Sequence, residues 1–425
     1  MNDRWRRPRG TQDVLPPESA RVERFRRVFY DWAERYGYEE IQTPVFEQTA
    51  VFVEGVGQAT DIVQHERYTF VDAGGTSLTL RPEGTAAVAR AYVEHGMNAW
   101  PQPVRLFYWQ PMFRRERPQA GRFRQHQQYG VELYGAEGFE ADAEVILLAT
   151  RILAAVGKTP RVRLNSLGDA ACRPAYRQAL VAYYAEHRAE LCEDCQARLE
   201  HNPLRLLDCK RDQHLKAGAP DIRDFWCEPC RDHFAGLTAL LADLGVEVDH
   251  DKNLVRGLDY YHRTVFEVDD EGLGAQNTIL GGGRYDGLPA RFEGPAVPAV
   301  GFAGGVERLL LALGDAWPAI RPARVYLAQI GTGTEALRWA ERLRAEGLPV
   351  VTDLLGRSLK AQMKDAARRA RWAVMVGGQE WAAGRAPVRD LVTGTTVEVA
   401  RDELAAWLRA RIATLAQEQD GQEER

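Results

Sequence analysis

From Pro17 to Tyr36 the apolar residues Val22, Phe25, Val28, Phe29, Trp32 and Tyr36 fall at helical spacing, which predicts an amphipathic helix. A strand follows and is interrupted at Thr43-Pro44, since the residue before a proline is restricted and the proline lacks an N–H. Val104, Leu106, Phe107 and Trp109 form an apolar run that reads as a strand, and Val131, Leu133 and Tyr134 alternate with Glu132 as the start of another. Between them the run FRRERPQAGRFRQHQQYGVE is polar and basic, with Pro118 and Gly121 at its middle. The pattern is strand, long basic loop, strand. Residues 254–268, LVRGLDYYHRTVFEV, read as an alternating β-branched strand that places Arg256, Leu258 and Tyr260 on one face and Gly257, Asp259 and Tyr261 on the other. Residues 171 to about 250 are charged, cysteine-rich and helical in pattern, as an insertion between strands would be. After Gly314, GDAWPAIRPA has the composition of a linker. Beyond it Val325 to Ile330, Leu348 to Thr352 and Trp372 to Val376 read as strands separated by helices Glu335 to Glu346 and Ser358 to Arg371. That βαβαβ order predicts a small α/β domain with a mainly parallel sheet.

Two of these runs carry chemistry. Arg256 beside the phenols of Tyr260 and Tyr261 suits a small ligand with an anionic group, because a guanidinium presents a fixed fork of donors. Gly257 leaves room beside the backbone. In the basic loop Arg114, Arg122 and Arg124 gather positive charge as a polyphosphate requires, and Glu116 can accept a hydrogen bond from an exocyclic amine. A solvated charge run is the plainer reading of such a loop, but the ordered alternation on both flanks argues against it. Composition narrows the partners. The chain has 425 residues, enough for two or three domains, and a formal net charge of −5, which argues against a general nucleic-acid binder and leaves any nucleic-acid site to a local basic patch. It has no long apolar run, and the basic MNDRWRRPRG leads into polar sequence. The expectation is a cytoplasmic protein without a membrane partner.

The F-R-x-E of Phe113 to Glu116, GFAGGVERLLLAL at 301–313 and the helix-then-strand ending in Pro44 resemble the three signature motifs of class II aminoacyl-tRNA synthetases. The arginine-tyrosine run at 256–261, GGGRYDGL at 281–288 and TLRPEGT at 79–85 narrow the resemblance to the histidyl-tRNA synthetase family, bacterial type. The resemblance implies an α+β protein. Residues 1–323 would form an antiparallel-sheet catalytic domain with its insertion at about 171–250, and residues 324–425 an anticodon-binding α/β domain. The implied activity joins L-histidine to ATP, supplied with Mg2+, and passes the histidyl group to the 3′ end of tRNA(His). The implied assembly is a homodimer whose interface uses the helix–strand unit at 17–44; an ordinary core helix would show the same spacing. By resemblance Arg114 contacts the α-phosphate and the histidine carboxylate, Glu116 the adenine amine, and Arg122 and Arg308 the distal phosphates. Arg256 supplies positive charge where related enzymes place a metal. Glu83, Gly84, Thr85, Gln128, Glu132, Tyr260 and Tyr261 form the histidine pocket.

One position departs from the family pattern: four residues after Arg122, where the family stacks a phenylalanine on adenine, this chain has His126. Either His126 or the nearby Phe123 would take the adenine, and His126 as a general base is the sharper alternative. Cys192-x-x-Cys195 and Cys227-x-x-Cys230 have the knuckle spacing of a tetrathiolate structural zinc, with Cys209 between them and Cys172 before; buried thiols are the alternative. In the C-terminal domain the helix bearing Arg357, Lys360, Lys364, Arg368, Arg369 and Arg371 is expected to meet tRNA phosphates. Gly331-Thr332-Gly333-Thr334-Glu335-Ala336, with Asp353 beyond, fits a loose dinucleotide pattern. Two other functions remain open. A histidine-sensing regulatory paralogue would lack the arginine-tyrosine run and the C-terminal domain. A nicotinamide-dependent enzyme would leave the basic loop and Arg308 unexplained.

Overall fold

The computed structural model describes residues 3–57, 60–273, 277–319, 324–331 and 334–423. The chain divides into two compact units, Met1–Pro318 and Ala319–Arg425. Residues 320–323 of the expected linker lie outside the described residues.

In the first unit the described residues build a sheet of eight strands: β1 (Glu39–Glu40), β2 (Val104–Phe113), β3 (Gln125–Tyr134), β4 (Arg161–Ser166), β5 (Val248–His250), β6 (His262–Asp269), β7 (Thr278–Arg284) and β8 (Ala299–Gly305). Their order is β1-β2-β3-β8-β7-β6-β4-β5. The six inner strands are antiparallel to one another, and each edge strand runs parallel to its neighbour. β2 and β3 pair without a bulge from Val104–Tyr134 to Phe113–Gln125, so even-numbered residues of both strands share one face and odd-numbered residues the other. The odd face (Phe107, Trp109, Tyr129, Val131) packs under helices α1 (Glu18–Arg35), α3 (Phe139–Ala155) and α4 (Glu228–Asp243); α2 (Thr85–Glu94) lies on the even face with Leu106, Tyr108 and Met112. On α1, Phe25 and Phe29 are fully buried, and the Phe25 ring lies 5.0 Å from that of Tyr129. The apolar stripe of this helix is therefore covered by the chain's own sheet.

Glycines in β7 and β8 allow their neighbours to cross the sheet. A Cβ on Gly281 would stand 2.4 Å from the Arg256 guanidinium, and one on Gly301 would stand 2.1 Å from the Glu132 carboxylate. Arg284, the arginine of GGGRYDGL, is fully buried and bonded to Asp142 (2.6 Å), Asp286 (3.1 Å) and the carbonyls of Ala136 and Gly138. Its role is structural. Arg81 is likewise buried, binding the carbonyls of Thr43, Pro44 and Pro111 and so anchoring the turn that Pro44 imposes.

The second unit has β9 (Val325–Gln329), α6 (Glu335–Ala345), β10 (Val350–Thr352), α7 (Leu359–Arg369) and β11 (Trp372–Val376) as expected, with β9 parallel to both β10 and β11. Two further strands, β12 (Arg385–Asp390) and β13 (Thr396–Ala400), extend the sheet as an antiparallel hairpin. Asp390 makes that turn by accepting the N–H groups of Val392 and Thr393, and Gly394 takes a positive φ.

Candidate active site

The even face of β2 and β3 forms a floor. Along β3 His126, Gln128, Gly130 and Glu132 follow one another on it, paired with Met112, Gln110, Tyr108 and Leu106 of β2. Gly130 is required there, since a Cβ would lie 2.5 Å from the Tyr108 hydroxyl. Glu132 is 1% exposed and accepts hydrogen bonds from Thr85 Oγ1 (2.7 Å) and the Tyr285 hydroxyl. Glu83 is 3% exposed and caps α2, accepting the N–H groups of Thr85 (2.8 Å) and Ala86 (2.9 Å). The Gly84 N–H donates to Gln128 Oε1 at 3.1 Å. Burial raises both carboxyls, Glu132 to about 8, although its hydrogen bonds from Tyr285 and Thr85 work against the rise. Among the described residues neither acid forms an ion pair with an arginine, lysine or histidine. Two buried acids thus sit in an aromatic pocket with no direct ion pair among the described residues, although the Arg114 charge acts on Glu83 from the basic end.

Tyr260, Tyr261 and Tyr285 close that pocket, with ring centroids 4.6 Å apart for the first two and 5.5 Å for Tyr260–Tyr285. The strand expected over 254–268 begins only at His262. Residues 254–261 are a loop, so the two-face assignment of Arg256 to Tyr261 does not hold, and both tyrosines are buried beside Glu132. The loop is tied down where a strand would have paired. The Asp259 N–H donates to the Val56 carbonyl, and Asn202 Nδ2 to Asp259 Oδ1 at 2.8 Å. Gly257 makes room for Arg205, since a Cβ there would stand 2.8 Å from that guanidinium. Arg256 pairs with Glu267 and lies 5.7 Å over the Tyr261 ring. Burial works against its charge, but Glu267 outweighs that and keeps the guanidinium firmly protonated. Glu267 is also held by Arg163 (2.7 Å) and Thr278 Oγ1 (3.0 Å).

Beyond Gln128 the floor continues into the basic loop, which is stitched by the Arg114 N–H to the Arg124 carbonyl and by paired bonds between Gln119 and Arg122. Arg114 is oriented by its bond to the Pro82 carbonyl (2.8 Å), Arg122 lies 3.1 Å from Glu116, and Arg114 lies 3.7 Å from the same carboxylate. Arg308, on α5 (Val306–Leu313), donates to the Thr278 carbonyl at 2.6 Å; burial and then repulsion from Arg122 lower its pKa. A Cβ on Gly121 would meet Leu311 at 3.1 Å, so the loop rests on α5. His126 is pushed down to about 3 by burial and by Arg114 and Arg122, with a hydrogen bond to the Phe123 backbone opposing. A ring so weakly basic is neutral at ordinary pH and unsuited to general base work. Phe123 lies in the loop, off the strand that carries His126.

The structure thus gathers expected residues along one floor, with Glu83, Thr85, Gln128, Glu132, Tyr260 and Tyr261 at its acidic, aromatic end and Arg114, Glu116, Arg122 and Arg308 at its cationic end. Sequence reasoning missed Tyr285, Tyr108 and Glu267. Tyr285 stands inside the GGGRYDGL motif, but its partner Glu132 is remote in sequence.

The cysteines correct a second expectation. The two knuckles do not share one tetrathiolate site: Cys192 and Cys195 cluster with Cys209 and Asp212, while Cys227 and Cys230 cluster with Cys172 and Asp169. In the second unit Thr332 and Gly333 of the dinucleotide-like loop lie outside the described residues. The first turn of α6 accepts no free anion at Ala336, whose N–H is taken by Gln329 Oε1 (2.9 Å), and Asp353 is paired with Arg357 rather than free for a ribose. On α7 and its flanks Arg357, Arg369 and Arg371 are bound to Asp365 or Asp390; Lys360, Lys364 and Arg368 are exposed.

Known proteins resemble this chain over nearly its whole length. The family model described as histidyl-tRNA synthetase matches residues 10–309, and that described as anticodon binding domain matches 324–411. The histidine–tRNA ligase of Desulforudis audaxviator is 49% identical over 411 residues, covering 95% of this chain and 98% of its own. That of Desulforamulus reducens is 46% identical over 414 residues, covering 95% and 99%. The apo histidyl-tRNA synthetase structure of S. aureus superposes with a TM-score of 0.79 at 37% identity, covering 95% of this chain and 99% of that one. A catalytic sheet and an anticodon-binding unit matched end to end in this way leave one conclusion, that the chain belongs to the histidyl-tRNA synthetase family.

Proposed function

We propose that this chain activates L-histidine with ATP and transfers the histidyl group to tRNA(His), with this floor and its flanking loops as the active site. The observation that carries the reading is the pair of buried acids, Glu83 and Glu132, at the aromatic end, which among the described residues form no direct ion pair. Histidine brings an ammonium and ring N–H donors to them, and its carboxylate then points toward Arg114 and Arg256. Selection by buried acceptors is strong, because an analogue that cannot donate leaves them unpaired.

In the first step a histidine carboxylate oxygen attacks the α-phosphorus of ATP, the bond to the β-phosphate bridging oxygen breaks, and pyrophosphate leaves. Arg114 and Arg256 stabilise the charge that builds on the α-phosphate oxygens, with Arg122 and Arg308 on the leaving group. ATP enters as its Mg2+ complex. Its adenine amine takes Glu116 in exchange for Arg122, and its ring stacks on His126, whose imidazole is neutral and shares the face of Gln128. In the second step the terminal adenosine hydroxyl of tRNA(His) attacks the adenylate carbonyl, releasing AMP and a proton. The exposed cations of α7 in residues 324–425 meet the anticodon arm. The enzyme works in the cytoplasm as a homodimer; no helix among the described residues is long and apolar enough to cross a membrane. Phe46 and Phe70, exposed and with ring centroids 6.3 Å apart on a separate antiparallel sheet of Phe46–Gln48, Tyr68–Val71 and Ser77–Leu80, offer an apolar surface for the dimer.

The test is charging of tRNA(His) with labelled histidine by the purified protein. Histidyl-tRNA should accumulate in an ATP- and Mg2+-dependent manner. A folded protein that binds histidine but leaves the tRNA uncharged would favour the regulatory reading.

A further inference from the structure

The helical insertion contains two clusters of the same design. Cys192-Glu-Asp-Cys195 and Cys227-Glu-Pro-Cys230 each open a helix, Glu193–His201 and α4, with the first cysteine at the N-cap in the same extended conformation (φ −66, ψ 159 and φ −66, ψ 163). Each knuckle is met by a second pair at the same three-residue spacing, Cys209-Lys-Arg-Asp212 in one case and Asp169-Ala-Ala-Cys172 in the other. In each cluster three sulfurs and one carboxylate oxygen lie within 4.8 Å of one another.

The separations match a tetrahedral ion. With metal–sulfur bonds of about 2.3 Å and a metal–oxygen bond of about 2.0 Å, tetrahedral edges are about 3.8 Å for sulfur–sulfur and about 3.5 Å for sulfur–oxygen. Cys192 and Cys209 are 3.8 Å apart, as are Cys172 and Cys230. Asp169 Oδ1 lies 3.4 Å from Cys172 and 3.6 Å from Cys227. Disulfides require sulfurs at about 2.0 Å, and all six cysteines are free. Outer contacts complete the picture: the Cys192 N–H donates to Asp212, and Arg263 stands 3.6 Å from Asp169, where it offsets part of the negative charge of three thiolates and a carboxylate.

We propose that the insertion holds two structural zinc ions, each in a closed Cys3Asp site. One is bound by Cys192, Cys195, Cys209 and Asp212, the other by Asp169, Cys172, Cys227 and Cys230. Four protein ligands leave no open position, so neither ion takes part in chemistry. Their place in the fold gives them a positioning task. The helix carrying Cys195 ends at Asn202, which holds Asp259, and Arg205 follows it against Gly257. The second site joins the start of the insertion to its last helix, beside Gly168, whose carbonyl accepts the Arg263 N–H. The first ion therefore braces the loop 254–261 that carries Arg256, Tyr260 and Tyr261, and the second braces the start of β6 that follows it.

Metal analysis of the full-length protein, purified reduced without chelator or affinity metal, tests this directly. The expected content is two zinc atoms per chain, released in step with thiol titration by an organomercurial. Asp212→Ala with Cys195→Ser should leave one atom, Asp169→Ala with Cys227→Ser should leave one, and the combination none. Content below one atom per chain in the unmodified protein, with all six thiols freely reactive, overturns the proposal without any variant having to fold. One atom per chain, lost only through one cluster, overturns the assignment of the other.

Discussion

Under the proposed function, Glu132 is the residue on which histidine selection turns. It is nearly inaccessible, and burial lifts its carboxyl to about 8, so the unliganded site holds a proton there at neutral pH. A cationic substrate expels that proton. Calorimetry of histidine binding at about pH 7, in buffers of different ionisation enthalpy, should therefore read net proton release that fades above about pH 8 and is absent in Glu132→Gln. The same substitution should raise the KM for histidine about 100-fold. Stability carries the matching signature. The folded carboxyl stays protonated up to about 8 whereas the unfolded one ionises near 4.5, so this residue lowers stability as pH rises between those values, and Glu132→Gln should flatten that part of the profile. At the other end of the floor His126→Phe should leave the KM for ATP within about threefold, while His126→Ala should raise it about tenfold or more, the loss expected of one base–aromatic stack. Steady-state pyrophosphate exchange at varied ATP checks both.

At the scale of elements, the glycine strands decide where charge can go. Gly281→Ala directs a methyl at the Arg256 guanidinium, the far end of a flexible side chain. The variant should keep its melting temperature within a few degrees yet lose adenylation rate about 100-fold, as Arg256→Ala should, with histidine KM little changed. Equal losses in stability and rate would instead mark Gly281 as a packing residue. Long elements with clean periodicity were legible in the sequence: α1, the β2–loop–β3 unit and the alternation of β9 to β11 with their helices all follow from apolar spacing. The loop at 254–261 was not, because its residues alternate as a strand would while the partners that hold it, the Val56 carbonyl and the Asn202 side chain, come from distant segments. Nor was the hairpin of β12 and β13, although Asp390 and Gly394 carry its turn chemistry. The residues of the site were nameable from motif resemblance, but their grouping was not: Tyr285 on Glu132 and Arg256 on Glu267 are contacts that only the register of β3, β8, β7 and β6 creates. The knuckle cysteines were visible by spacing, whereas Asp169 and Asp212 are ordinary aspartates until the fold delivers them.

For the whole molecule, the proposed function divides the labour between the two units. Replacing Lys360, Lys364 and Arg368 together by glutamate removes the exposed cations of α7 while leaving the ion pairs of Arg357, Arg369 and Arg371 intact. Charging of tRNA(His) should fall about 10- to 100-fold in kcat/KM at moderate salt, with histidine-dependent exchange unaffected. If exchange falls equally, the face is not a tRNA surface. The most direct measurement on the proposed site is exchange of labelled pyrophosphate into ATP without tRNA, across a panel of amino acids. Exchange should appear with histidine and with no other, because only histidine satisfies Glu83 and Glu132 while presenting its carboxylate to Arg114. Exchange with several amino acids, or none from folded, Mg2+-supplied protein, would contradict the account.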